Sequence, residues 1–120
     1  MLARAAILPT AERTNDNNDP NTFNWDGFDH TALSMPFEFF RAMSQRGVSK
    51  FVGSVWTAPD WMKTNLIFTD GGSLRPDMRS EFAEYLSAVV QLAKDDYGVN
   101  LTALSPQNEH YFVEPYESTT

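Results

Sequence analysis

Two short stretches concentrate the side chains able to do chemistry. Ser105-Pro106-Gln107-Asn108-Glu109-His110 sets an amide directly beside a carboxyl. A carboxyl can give a proton to a leaving oxygen while a neighbouring amide holds a hydroxyl in reach of it. Trp56-Thr57-Ala58-Pro59-Asp60-Trp61-Met62-Lys63-Thr64-Asn65 carries two indoles and a second amide. Aromatic faces stack on the apolar faces of sugar rings, so Trp56 and Trp61, with Tyr111 beyond the glutamate, suit a carbohydrate subsite. The bland alternatives are a solvated loop glutamate and tryptophans packed in a core or at its rim. His30 and His110 lack metal-ligand spacing and there is no cysteine, so neither a metal nor a cofactor is expected.

The composition narrows the partners. The chain has 120 residues, 42% of them apolar and 21% charged, which is enough for one globular domain. A net charge of -7 repels the phosphate backbone, so no nucleic acid is expected, and an acidic surface suits a neutral oligo- or polysaccharide. No apolar run approaches the ~20 residues of a membrane span. Met1 to Pro9 is too short for a signal peptide with its cleavage site, so a signal for secretion or the cell envelope would lie upstream. The sequon Asn100-Leu101-Thr102 sits at a strand start and is discounted as a glycan site.

The elements that must position these residues follow from periodicity and punctuation. Met1 to Leu8 reads as a strand stopped by Pro9. Residues 10 to 30, centred on Asn15-Asp16-Asn17-Asn18-Asp19-Pro20, read as a loop tied down by Phe23, Trp25 and Phe28. Ser34 is expected to cap a helix with Pro36 in its first turn, a face of Phe37, Phe40, Arg41 and Ser44, and an end at Gly47. Phe51 to Trp56 reads as a buried strand, followed by a loop from Thr57 to Arg75. A long helix is expected from Pro76, with Met78, Phe82, Tyr85, Val89 and Leu92 on one stripe widened by Leu86, Val90 and Ala93. Gly98 stops it, and Leu101 to Leu104 reads as a third strand. Helices alternating with strands imply parallel pairing through right-handed crossovers. An open α/β sheet and a (β/α)8 barrel are both built this way, and both place active sites at the C-terminal strand ends. Both chemical stretches fall there.

The motifs also carry a family resemblance. Trp56-x-Ala58-Pro59-x-Trp61-Met62-Lys63, Gly71-Gly72-Ser73-Leu74, Phe82-Ala83-x-Tyr85-Leu86 and Leu104-Ser105-Pro106-Gln107-Asn108-Glu109 occur in order. Together they resemble glycoside hydrolase family 30, which includes endo-β-1,6-galactanases, β-1,6-glucanases, glucuronoxylanases and glucosylceramidases. The Asn15 to Pro20 run and Phe23-Asn24-Trp25-Asp26 resemble its galactanase-like members. The resemblance implies an α/β fold, a partial (β/α)8 TIM barrel, with residues 1–120 a fragment holding strands two to four of the parent. It implies a retaining hydrolase of a β-linked glycan, most like an endo-β-1,6-galactanase. Glu109 would be the acid/base, with its pKa raised by burial and by an ionised nucleophile on a strand outside these residues. Asn108 would hold the 2-hydroxyl, Trp56, Trp61, Asn65 and Tyr111 would bind substrate, and Arg4 would pair with the nucleophile. The family usually has proline after the glutamate, where this chain has His110. Two other readings remain: a carbohydrate-binding remnant without catalysis, and a half-barrel that pairs with itself.

Overall fold

The computed structural model describes residues 1–120. Three strands, β1 (Leu2–Ile7), β2 (Lys50–Val55) and β3 (Ala103–Ser105), alternate with two helices, α1 (Ser34–Ser44) and α2 (Arg79–Tyr97). All pairing is parallel, in the order β1-β2-β3, with Ile7 opposite Val55 and Ser54 opposite Ser105. This is the expected α/β arrangement, and three strands in sequential order are common to open sheets and to barrels.

Strand β2 is central and its residues are mostly buried, whereas β1 alternates exposed and buried residues, because both helices pack on the face that carries Ala3, Ile7, Phe51 and Val55. Gly53 makes the sheet possible at its middle. A Cβ there would stand 2.8 Å from the Leu104 side chain and 3.1 Å from that of Ile7. The core lies between sheet and helices. Phe37 and Phe40 of α1 and Tyr85 and Val89 of α2 pack with Ile7, Phe51 and Val55, and the Phe40 and Phe51 rings sit 5.2 Å apart.

Helix α2 follows its periodicity closely. Tyr85, Val89, Leu92 and Ala93 are buried, while Val90, at the stripe's margin, is 41% exposed. Its end also matches expectation. Gly98 adopts φ +66°, its amide bonds Lys94 O, and the Val99 amide bonds Ala93 O, a closing pattern that a left-handed residue permits.

The boundaries differ from expectation in physically simple ways. Pro76–Met78 forms a 3-10 turn and the α-helix proper begins at Arg79. The third strand begins at Ala103 rather than Leu101, since Thr102 ties to Phe51 through its amide and hydroxyl before the ladder starts. Ser34 is inside α1 and its side chain makes no cap bond. Arg41 and Ser44 face solvent: Arg41 pairs with Glu38 at 2.6 Å, and Ser44 bonds back to the Arg41 carbonyl. The buried stripe of α1 is therefore the narrower set Pro36, Phe37 and Phe40.

Tyr85 joins α2 to the end of β1, its hydroxyl donating to the Leu8 carbonyl at 2.6 Å. Tyr85→Phe is expected to strand that carbonyl beside the core and to cost about 1–3 kcal/mol, read as a lower urea midpoint at unchanged m-value.

Candidate active site

Parallel strands put all their C-terminal ends on one edge, and the residues singled out for chemistry lie on or next to those ends. Arg4, in the middle of β1, reaches across the sheet. Its Nη2 donates to Ser54 Oγ of β2 at 2.8 Å and to Asn108 Oδ1 in the loop after β3. One guanidinium thus links all three strand segments, and it fixes the orientation of the amide that precedes Glu109.

Glu109 is solvent-exposed, so the burial expected of it is not supplied within these residues. Its backbone has φ +46°, in the left-handed region that costs a non-glycine residue about 1–2 kcal/mol. A proline at position 110 would push the preceding residue towards extended backbone. His110 removes that bias, and its ring lies 3.9 Å from that of Tyr111. Tyr111 itself is 86% exposed.

The two tryptophans have separate fates. Trp56, just past β2, is half-buried and packs on Tyr116, with ring centroids 5.8 Å apart. With Ala6, Ile7, Leu8, Pro9 and Glu117 it lines an apolar hollow of about 200 Å³ where β1 and β2 end. Trp61 instead turns towards the core, and its Nε1 donates to the Glu12 carbonyl at 3.1 Å. Asn65 also serves its own loop, donating to the carbonyls of Thr69 and Gly71. Gly72 leaves room for this, since a Cβ there would overlap the Asn65 amide.

Sequence patterns did not single out Ser54 or Tyr116 as part of this region, and they gave Lys63 a place in a motif but no role. Ser54 and Lys63 are fully buried. Lys63 Nζ donates to Ser118 O at 2.6 Å and to Phe68 O at 3.2 Å, and so holds residues 117–119 against the loop after β2. Thr57 and Thr119 hydroxyls bond each other at 3.0 Å in the same seam. A ring followed by a carboxyl at Tyr116-Glu117 was the one available signal. Nothing in the sequence distinguishes a lysine that ties down carbonyls from one in water.

Burial lowers the Lys63 pKa from 10.5 to about 8, against the opposing pull of Asp60 and Asp70. Between those values the unfolded chain keeps a proton that the folded chain has released, so stability rises with pH through that window. Urea melts across it are expected to show this upward slope, and Lys63→Met to flatten it. Arg4→Met is expected to leave buried Ser54 without its partner, costing about 1–2 kcal/mol, while Arg4→Lys recovers part of the loss.

No family model matches the chain. It is 32% identical over 77 residues to the endo-1,6-beta-D-glucanase neg1 of Aspergillus fumigatus, covering 52% of this chain and 16% of that one. The glycoside hydrolase family 30 subfamily 8 xylanase Xyn30A from Clostridium acetobutylicum superposes with a TM-score of 0.81 and 29% identity, over 99% of this chain and 28% of that chain. SrfJ from Salmonella typhimurium superposes with a TM-score of 0.77 and 24% identity, over 98% of this chain and 27% of that one, a likeness of fold. The chain therefore spans between about a sixth and just over a quarter of the length of these relatives. Along almost its whole length it has the fold of one part of these larger proteins, and the xylanase among them is a member of the family that its motifs resemble.

Proposed function

We propose that the chain supplies strands two to four of a (β/α)8 barrel in a secreted or cell-envelope retaining glycosidase, with Glu109 as its acid/base. The observation that carries this reading is the Arg4 bridge. A strand-borne guanidinium fixes Asn108 from β1, and the carboxyl next in sequence stands at the strand-end edge. In a retaining mechanism two carboxyls about 5–5.5 Å apart flank the bond. Glu109 gives its proton to the leaving oxygen, the second carboxylate bonds the anomeric carbon, and Glu109 then takes a proton from the water that releases the sugar. The second carboxylate belongs to barrel strands outside these residues, so the 120 residues alone are inactive. Packing of those strands over the loop after β3 takes Glu109 out of water.

Trp56 and Tyr116 form the aromatic wall of the sugar subsite, beside the hollow at the ends of β1 and β2. Asn108 holds the 2-hydroxyl, and Tyr111, exposed beside the His110 ring, stacks on substrate further out. Trp61 and Asn65 act on substrate only indirectly, by shaping the loop. The substrate is a β-linked glycan, and a β-1,6-linked galactan is favoured by the Asn15 to Pro20 and Phe23 to Asp26 motifs. The 1,6-glucanase relative supports the linkage.

The exposed aromatic wall would also serve a carbohydrate-binding protein without turnover. Glu109→Gln in the full-length protein separates the two readings. Hydrolysis of a substrate with a poor leaving group is expected to fall about 10²–10⁴-fold while oligosaccharide binding persists. An unchanged rate overturns the acid/base role. Binding with no hydrolysis by the unaltered protein leaves the non-catalytic reading in its place.

A further inference from the structure

The loop between β1 and α1 folds over the first turns of α2 and gathers carboxyls there. Asp16, Glu81 and Glu84 each offer an oxygen within 4.8 Å of the others. Glu81 and Glu84, three residues apart on one helix, share a face. Glu12 is fully buried, close enough to feel the charges of Asp16, Glu84 and Glu81.

A buried carboxylate without a partner is costly. Glu84 is 4% exposed and neither of its oxygens has a hydrogen-bond partner. Glu81, 7% exposed, has one idle buried oxygen, and so do Glu12 and Asp16. No basic side chain answers them, since the ion pairs are His30–Asp96, Arg41–Glu38 and Arg75–Asp77. The loop is shaped to hold the acids in place. Asp16 Oδ2 accepts the Asn24 amide at 2.7 Å, which leaves Oδ1 as the idle atom. The Asp16 amide donates to Glu12 Oε1 at 3.2 Å. Gly27 gives Asp16 its room, because a Cβ there would lie 2.6 Å from Asp16 Cβ. A surface cleft between Pro20, Asn21 and Phe23 on the loop and Ser80 and Ser87 on α2 reaches Glu84 from solvent.

We propose that Asp16, Glu81 and Glu84 bind one divalent cation, calcium in preference to magnesium, with Glu12 as a fourth carboxyl at its edge. The ion clips the loop onto α2. An all-oxygen, carboxylate-rich set selects hard cations. Oxygens up to 4.8 Å apart can share an ion about 2.4 Å from each, a calcium–oxygen distance rather than the shorter magnesium one. Water entering by the cleft completes the coordination. None of these residues takes part in the proposed hydrolysis, so the site stands apart from that reading. The expectation of no metal rested on histidine spacing and missing thiolates, and neither bears on a carboxylate site.

Calorimetric titration of the full chain, freed of metal with EDTA, tests this with CaCl2 and MgCl2 in parallel. The expected result is one calcium per chain with Kd below about 10⁻⁴ M, magnesium at least about tenfold weaker, and a higher Tm in calcium. Glu84→Gln and Asp16→Asn, one from each side of the site, are each expected to weaken calcium binding about tenfold or more. Asp95→Asn, on the exposed face of α2, is expected to leave it unchanged. Both amide variants keep the side-chain shape and relieve repulsion, and circular dichroism verifies that they fold. The proposal is overturned by the absence of saturable calcium heat up to about 1 mM, by a Tm that calcium leaves unmoved, or by binding that survives both substitutions. Tighter magnesium binding would overturn the choice of ion.

Discussion

Every strand of this sheet runs the same way, and that single constraint arranges the rest of the molecule. Parallel neighbours cannot be joined by a tight turn, so each connection crosses a face of the sheet as a helix. The helices bury β2, and they leave the three C-terminal strand ends together on one edge. Arg4 exploits this arrangement. From β1 it reaches β2 and the segment after β3 at once, which is possible only because neighbouring parallel strands lie side by side in register.

The connections at the strand-end edge are long, and side-chain hydrogen bonds tie them down alongside the apolar packing of Ala11, Ala58 and Met62. Lys63 caps carbonyls from Phe68 and Ser118, Asn65 ties the Thr69 and Gly71 carbonyls, and Trp61 anchors the Glu12 carbonyl. Buried backbone groups need partners, and a loop without a ladder must find them in side chains. The side chains of Lys63, Asn65 and Trp61 are thereby spent on the backbone of the loops themselves. Trp56 and Tyr116 remain available at the hollow, and Asn108 is oriented for the edge.

Polar burial of a different kind occurs where the loop after β1 meets α2. There the carboxyls of Glu12, Asp16, Glu81 and Glu84 come together with no base to neutralise them. The loop closes over α2 through Asx-type turns, with Asn15 and Asn17 accepting nearby amides. These turns position Asp16 but do nothing for the charge, which makes this contact the least self-sufficient in the fold.

Much of the architecture was legible in the residues themselves. The stripe of Tyr85, Val89 and Leu92 announces a helix, Gly98 its end and Phe51 to Val55 a buried strand, because apolar period and left-handed glycines are local properties. The alternation of elements then compels parallel pairing. The position of Glu109 beside Asn108 and after a strand was readable for the same reason. What the sequence could not express is which polar side chains become internal. Trp61 and Asn65 have the chemistry of sugar ligands, yet they bond their own chain. Glu81 and Glu84 lie outside the apolar stripe of α2, yet they are buried where a loop some sixty residues earlier meets the helix. Residue type determines what a side chain is able to bond, whereas only the folded chain decides which partner arrives, since partners distant in sequence meet through tertiary closure.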